Sequence, residues 1–275
     1  MHSDTIYNWI LANEAGLRMG VFLGLLLLFL SLELLFARRD LQQFRRQRWV
    51  TNLGLVFIDS LVLRVLFPIM AVGVAVMAHE KDWGVFNFIA LPHLLEVIFA
   101  VILLDGFIYV QHVASHYFKP LWAFHKIHHA DRDFDTTTAL RFHPVEICLS
   151  MLYKMGVVIL LGPAALAVII FEILLNGAAM FNHMNVTLPQ WLDRVLRPII
   201  VTPDMHRVHH SIRSDEMHRN FGFCLSVWDR LFGTYTPQPR EGHTAMTIGL
   251  PDCQGDDSRP QHLVWGLLTP FKNLR

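Results

Sequence analysis

The chain has 275 residues, of which 53% are hydrophobic and 17% charged, and its formal net charge at pH 7 is zero. Because Lys and Arg are not in excess, the composition does not indicate a nucleic-acid partner. Few charges and many apolar residues favour a protein whose outer surface faces lipid. The three cysteines are isolated and form no CxxC pair, so neither a disulfide framework nor a thiolate metal site is predicted.

Three apolar segments are each long enough to cross a bilayer, which takes about 20 residues in a helix. They are residues 19–36, 53–77 and 86–110. The chain start lacks the basic stretch and cleavage site of a signal peptide, so the first segment is predicted to be retained as a span. The second segment contains Asp59 and Arg64, which are costly in hydrocarbon unless they face protein. We expect them to make a structural polar contact between spans, with a catalytic role as the less favoured alternative.

An arginine-rich stretch, residues 38–49, separates the first two apolar segments. Leu41, Phe44 and Trp49 lie between its five arginines, a pattern typical of a helix on an anionic lipid surface. By the positive-inside rule this loop is cytosolic. The short and nearly neutral loop at residues 78–84 is then external.

A second apolar block spans residues 145–181 and is interrupted at Gly162 and Pro163, which predicts a re-entrant helical hairpin with both ends cytosolic. Residues 186–200 have the pattern of a further interfacial helix. The predicted fold is an all-α polytopic membrane protein with about four spans, counted as three spans plus the hairpin, and a cytosolic helical cap. The predicted regions are N-terminal spans at 1–111, a catalytic region at 112–235 and a C-terminal cytosolic tail at 236–275.

Histidine is concentrated in one part of the chain, because eleven of the sixteen histidines lie between His112 and His218. Most of them fall in three short motifs: His112 and His116; His125, His128 and His129; and His206, His209 and His210. In a helix, residues three and four apart share a face, so each motif presents its imidazoles in one direction. Eight clustered histidines exceed the three or four ligands that one zinc ion takes, so two metal ions are predicted.

Two more histidines could complete the metal ligands, since His143 precedes the predicted hairpin and His183 follows it, both on the cytosolic side. The alternative for His143 is a hydrogen bond to a ligand. Ligating histidines usually donate their other nitrogen to a carboxylate or a carbonyl. Acidic residues that could accept from them are Asp105, Asp131, Asp133, Asp135, Glu146, Asp204 and Asp229, of which Asp105, Asp204 and Asp229 are retained as predictions. Imidazole ligands alone do not choose between iron, copper and zinc.

Read together, these motifs resemble the fatty acid hydroxylase superfamily, also called the sterol desaturase family, of membrane di-iron oxygenases. The similarity extends over residues 105–235 and rests on these pieces in order: DGFIYVQHVASH, LWAFHKIHHA, TALRFHPVE, FNHMNVTLP, VTPDMHRVHHS and NFGFCLSVWDRLFGTY. The family's eight-histidine pattern transfers to the eight histidines of the three motifs. The sequence departs from many members at Gln111 and Val113, which removes no ligand and leaves the substrate class open.

The resemblance implies two iron ions, O2 as co-substrate, and hydroxylation or desaturation of an alkyl C–H bond in a lipid or sterol-like substrate. No flavin, nicotinamide, iron–sulfur or haem motif is visible, so electrons are expected from an external reductase or electron-transfer protein. The expected location is an integral membrane position with the active site on the cytosolic face. That membrane would be the inner membrane of a bacterium or the endoplasmic reticulum of a eukaryote.

Two functions of other classes remain open from the residues. A zinc-dependent membrane hydrolase would use up to three of these histidines and an activated water, but no HExxH motif is present and the other histidines are then unexplained. A non-catalytic metal-binding membrane scaffold would tolerate the loss of ligands, whereas all eight motif histidines are present. Metal content and dependence on O2 distinguish these functions from an oxygenase.

Overall fold

The computed structural model describes residues 2–272. The longer helices of the first two thirds of the chain are α1 (His2–Ala12), α2 (Glu14–Phe36), α3 (Arg45–Leu66), α4 (Ala71–Glu80), α5 (His93–Tyr117), α6 (Lys119–His129), α7 (Pro144–Leu161) and α8 (Ala165–Asn182). Shorter helices follow: α9 (Gln190–Leu196), α10 (Pro203–His209), α11 (Ser214–Met217), α12 (Val227–Leu231), α13 (Gly242–Ala245) and α14 (Leu263–Lys272). Single 3₁₀ turns lie at Val85–Asn87, Thr136–Leu140, Pro251–Cys253 and Arg259–Gln261. Within residues 2–272 the β pairing is limited to three isolated bridges, which confirms the prediction of an all-helical protein.

Five helical segments are long and apolar enough to cross a membrane. They are Glu14–Phe36, Arg45–Asn87, His93–Tyr117, Pro144–Leu161 and Ala165–Asn182. Many of their large apolar side chains are exposed, among them Phe57, Leu94 and Leu152, as lipid contact requires. The protein is therefore an integral membrane protein.

The second predicted segment, residues 53–77, is not one continuous helix. α3 ends at Leu66 and α4 begins at Ala71. Pro68 lies between them, and it has no backbone N–H to donate and disfavours the helical conformation at Phe67 before it. The chain therefore bends within this segment.

The third segment, predicted at residues 86–110, is displaced along the sequence. α5 begins at His93, directly after Pro92, and continues to Tyr117. The helix is thus longer than expected at its C-terminal end. As a consequence, the last two turns of an apolar helix carry the first histidine motif.

α7 and α8 form the predicted hairpin, with its turn at Gly162 in the left-handed conformation (φ +61°). Each helix has 18 residues, about 27 Å in length. The turn contacts the loop that joins α4 to α5, where Asn87 donates a hydrogen bond to the Gly162 carbonyl at 3.3 Å. A Cβ atom at Gly162 would lie 2.0 Å from the Trp83 carbonyl oxygen, so only glycine allows this approach. The hairpin therefore reaches the loop that was predicted to be external.

The arginine-rich stretch does not form the predicted surface helix, because residues 38–44 are not helical and α3 begins at Arg45. Arg39 donates to the carbonyls of His243 and Met246 at 2.5 and 2.7 Å. Arg38 lies 3.3 Å from the Asp204 carboxylate. These arginines bind the polar region of residues 202–272, which we call the cap, and not a lipid surface. Backbone carbonyls of the cap accept hydrogen bonds from the Arg39 guanidinium, and a carboxylate of the cap pairs with the guanidinium of Arg38.

The C-terminal tail is predicted at 236–275, and its described part, residues 236–272, folds back onto the spans. α14 packs against α3 and α6. Thr51 donates to the Gln261 carbonyl at 2.5 Å, and Arg141 donates to the Pro260 carbonyl at 2.6 Å. In the predicted interfacial segment 186–200 only α9 is helical, and its Trp191 is 67% exposed.

Candidate metal centre

Nine buried histidines form two groups in which the ligand atoms lie within 4.8 Å of one another. The first group is His112, His116, His125, His129 and His209, and the second is His128, His183, His206 and His210. The groups are neighbours, since the rings of His129 and His210 stack with 4.5 Å between centroids. The structure thus brings together all eight motif histidines and His183.

Helical spacing explains how three motifs supply two groups. In α6, His125 and His129 are four residues apart and belong to the first group, whereas His128 between them belongs to the second. The third motif is divided the other way round. Its first and last members, His206 and His210, belong to the second group, and His209 belongs to the first. Each HxxHH motif therefore contributes to both groups.

The second group has the geometry of a ligand set around one cation. The Nε2 atom of His183 lies 3.2 Å from the Nε2 atom of each of the other three members. Its Nδ1 atom donates to the Ala179 carbonyl at 2.7 Å, so Nε2 carries only a lone pair. One lone pair cannot satisfy three ring nitrogens, whereas nitrogens 2.0–2.1 Å from a tetrahedral metal ion would be about 3.3 Å apart.

The first group presents buried ring nitrogens without hydrogen-bond partners among residues 2–272. These include the Nε2 atoms of His112, His125 and His209 and both ring nitrogens of His116 and His129. Unpartnered buried polar atoms are costly, so a ligand is expected to satisfy them. A cation does so for every lone pair at once.

The outward-facing nitrogens of four histidines are held by carbonyl or carboxylate oxygens. His112 Nδ1 donates to the Phe221 carbonyl and His209 Nδ1 to the Arg219 carbonyl, both at 2.7 Å. His125 Nδ1 lies 2.6 Å from the Glu146 carboxylate. His183 is held in the same way by Ala179. These bonds fix the tautomer that directs Nε2 to the centre.

Burial, reinforced by the neighbouring imidazoles, keeps the pKa of five clustered histidines outside the membrane-spanning helices well below 6.5. This applies to His128, His129, His206, His209 and His210. Burial also lowers the pKa of His183 to about 4. The rings are therefore neutral at pH 7, which is the state that binds metals.

His143 was predicted as a ligand, but it lies outside both groups. Its Nδ1 accepts a hydrogen bond from the Val145 backbone N–H at 3.1 Å, and its Nε2 donates to the Leu267 carbonyl at 3.1 Å. Both ring nitrogens of His143 therefore have hydrogen-bond partners, and neither is available to bind a metal ion in either group. His218 also lies outside, with Nδ1 at 2.9 Å from the Ser214 carbonyl.

The three retained acids contact no histidine of the two groups. Asp229 accepts from the backbone N–H groups of Phe221 and Gly222 at 2.7 and 2.8 Å, and so holds the loop whose carbonyl binds His112. Asp105 holds the same loop further along through the N–H groups of Cys224 and Leu225.

Asp204, the third of these acids, pairs with Arg38 and with the fully buried Arg207 of α10. It therefore acts on the cap and not on a metal ligand. Glu146 is the one acid from the wider sequence set that contacts a histidine of the two groups. The carbonyl acceptors on Phe221, Arg219 and Ala179 could not be found from side-chain identity.

A cavity of about 390 Å³ lies among the apolar helices beside the first group. His112 and His125 line it next to Glu146. Lys154, also in its lining, is eight residues beyond Glu146 on α7, or about 12 Å along the helix. The size is typical of small-molecule and cofactor sites.

A smaller cavity of about 210 Å³ shares Gln111, Ser115 and Glu146 with the larger one. Most of its other lining residues are apolar, and two of them, Val110 and Leu149, are 50% and 42% exposed on the helix surfaces. The smaller cavity therefore lies between the exposed faces of α5 and α7 and a polar wall, formed by Gln111, Ser115 and Glu146, that it shares with the larger cavity.

The chain is similar to lipid-modifying oxygenases. It is 27% identical to Alkylglycerol monooxygenase of Xenopus tropicalis over 220 residues, which is 78% of this chain and 48% of the relative. It is 27% identical to Ornithine lipid hydroxylase OlsE of Rhizobium tropici over 157 residues, which is 57% of this chain and 46% of the relative. The chain thus spans about half the length of these relatives, and no solved structure matches it.

The sequence profile of the fatty acid hydroxylase family matches residues 97–234, half of the chain. The match includes α5 from its second turn, the hairpin, and all nine clustered histidines. It therefore covers both groups and most of the larger cavity's lining from α5, α7 and α8. This chain belongs to the fatty acid hydroxylase family.

Proposed function

We propose that this protein is a di-iron monooxygenase that uses O2 and external electrons to hydroxylate an alkyl C–H bond of a membrane lipid. The observation that carries the proposal is the pair of buried histidine groups beside a cavity within apolar helices. The names of the relatives, an alkylglycerol monooxygenase and an ornithine lipid hydroxylase, support a lipid substrate.

The nine histidines are the proposed ligands, five around one ion and four around the other. The donor set fits two such ions, because each group supplies at least four neutral imidazoles with converging lone pairs. Two bound iron ions would supply the activation of O2 and the oxidation of the C–H bond. Nitrogen ligation also suits zinc and copper, so the choice of iron rests on the family and its oxygenase members.

The protein's own contribution is to bind the metals, exclude water and position the substrate. Glu146 orients His125 from the cavity side. The smaller cavity provides an apolar entry for an alkyl chain, and the larger one holds the lipid beside His112. Positioning of this kind decides which carbon is oxidised. Electrons are proposed to come from a separate reductase or electron-transfer protein.

The experiment that tests the function is oxidation under isotopically labelled O2. Purified, iron-loaded protein with a chemical reductant and a membrane lipid extract should place one labelled oxygen atom in a lipid alcohol, detected by mass spectrometry. Metal analysis should give about two iron ions per chain. Label-free products together with a single zinc ion would support the hydrolase instead.

Removing Glu146 tests its role in orienting His125. Glu146→Ala should weaken iron binding by about 10 to 100 fold, because partners of ligating histidines typically contribute this much. The rate of iron loss to a chelator measures the effect. Glu146→Gln keeps a carbonyl acceptor and should retain more affinity than Glu146→Ala. Equal iron loss from both variants and the wild type would contradict this role.

We further propose that five segments cross the membrane and that both histidine groups face the cytosol. The topology is supported by the cap, which binds the arginine-rich stretch, and by the hairpin turn, which contacts the loop on the opposite side. In a variant without its three native cysteines, Arg46→Cys should react with an impermeant thiol reagent only from the cytosolic side. Asp82→Cys and Ala164→Cys should react only from outside. Protection of Ala164→Cys from both sides would instead indicate a re-entrant hairpin.

A further inference from the structure

One acid in the larger cavity has no partner among residues 2–272, the part of the chain that the structure describes. Four acids line that cavity, namely Glu14, Asp59, Glu146 and Glu172. Glu14 pairs with Arg18, Glu146 with His125, and Glu172 with Lys154. Asp59 makes no hydrogen bond or ion pair with any residue from 2 to 272, although its side chain lies among the helices.

Asp59 is only 5% exposed, and its Oδ1 atom is buried without a hydrogen-bond partner. The sequence predicts a structural polar contact of Asp59 with another span, but Asp59 makes no hydrogen bond or ion pair with any residue in the described part of the chain. Arg64 lies more than a turn further along α3 and is exposed. A buried carboxyl group without a partner is costly in a protein interior, and more so within a membrane.

We infer that Asp59 binds a hydrogen-bond donor on the polar group of the lipid substrate, a hydroxyl or an ammonium, inside the larger cavity. A carboxyl group keeps an acceptor oxygen in either protonation state, so a donor on the ligand can satisfy the unpartnered Oδ1 atom. The inference rests on the proposed function in one respect, namely that this cavity takes a lipid. It adds the substrate class, a lipid whose headgroup carries a donor that enters the membrane interior.

The charges around the cavity agree with this assignment. Arg18 and Lys154, two half-buried cations of its lining, are already paired with Glu172 at 2.9 and 2.6 Å and are not free to attract an anionic headgroup. Arg64, the third cation of the lining, is exposed and lies more than a turn from Asp59 along α3. Asp59 is the acid of this lining without a partner among the described residues 2–272, and its Oδ1 atom can accept from a cationic or a neutral donor.

The test is a binding measurement on the full, iron-loaded protein without O2, so that no turnover occurs. The probes are hexadecylglycerol, its di-O-methyl derivative without donors, and hexadecylamine. Wild-type protein should bind one of the two donor lipids about 10 to 100 fold more tightly than the methylated lipid, because a buried acceptor left without a hydrogen bond costs about this much in affinity. Asp59→Leu should remove this preference and leave affinity for the methylated lipid unchanged.

Asp59→Asn separates the two donors and also serves as a variant of nearly the same shape. If the natural donor is a hydroxyl, the amide oxygen should keep most of the affinity for hexadecylglycerol. If it is an ammonium, Asp59→Asn should lose affinity for hexadecylamine as fully as Asp59→Leu. Phe57→Leu, on the exposed face of the same helix, is the matched control and should bind like the wild type.

Equal affinity of the wild type for donor and methylated lipids would overturn the inference, whatever the variants do. So would an unchanged preference in Asp59→Leu. Because binding is measured without O2, these outcomes are independent of the labelling experiment. Failure to incorporate oxygen would count against the monooxygenase while the affinities still decide the role of Asp59.

Discussion

The His206→Ala variant is expected to retain about one iron ion per chain and to lose more than 100-fold in oxidation rate. His206 belongs to the second group, so its removal leaves three histidines there and all five in the first. The outer partners of metal ligands alone typically contribute 10 to 100 fold, and a direct ligand contributes more. Elemental analysis and turnover of the same preparation measure both effects.

The matched variant is His116→Ala, which removes a proposed ligand from the first group instead. It should also lower the iron content towards one ion, since each group is proposed to hold its own metal. His262→Ala removes an exposed histidine outside both groups and should keep about two iron ions and full activity. A His206→Ala protein with two iron ions and wild-type turnover would contradict the assignment of the second group.

The positions of the long helices could be predicted from the sequence because apolar runs of this length have few alternatives in a membrane. The ends of these helices were predicted less accurately than their positions. The break at Pro68 follows from a residue visible in the sequence, yet its effect depends on where the preceding helix packs. The helical hairpin could be predicted from the Gly-Pro break between its two apolar halves. The contact of its turn with Trp83 could not, because it is a tertiary contact of Gly162.

For the site, the clustering of the eight motif histidines could be predicted because histidine is visible in the sequence and its spacing follows the helix period. Their division into two groups could not, since it depends on how α5, α6 and α10 face one another. The predicted partners illustrate the same limit. His112 and His209 donate to backbone carbonyls, and every residue has a carbonyl, so the sequence contains no distinguishing signal.

The arginine-rich stretch shows a second kind of limit, because Arg48 was interpreted as part of a lipid-binding surface. In the structure it is fully buried, and its guanidinium donates to both carboxylate oxygens of Asp131 at 2.7 and 2.9 Å and to Asp135 at 2.8 Å. These acids follow 83 and 87 residues later. A pairing across that distance has no local pattern.

Arg48→Ala is therefore expected to destabilise the protein by about 3–5 kcal/mol, because it leaves two buried carboxylates without their partner. Asp131 and Asp135 also hold the loop that follows α6, so iron binding should weaken as well. Thermal unfolding of the detergent-solubilised, metal-free protein measures the first effect without contributions from the metals. Arg48→Lys should recover only part of the loss, since an ammonium cannot bind two carboxylates in the planar geometry of the guanidinium.

Arg46→Ala is the control for this variant, because Arg46 is exposed on the same first turn of α3 and should contribute less than about 1 kcal/mol. Acid provides a further check. Burial alone would raise the pKa of Asp131, but the charge and hydrogen bonds of Arg48, together with Arg141 and Thr138, outweigh burial and hold that pKa at about 2. The ion pair thus contributes stability above pH of about 4, and this contribution is lost as the pH falls towards 2. An Arg48→Ala protein that unfolds at the wild-type temperature and with the same acid dependence would show that the pair does not stabilise the fold.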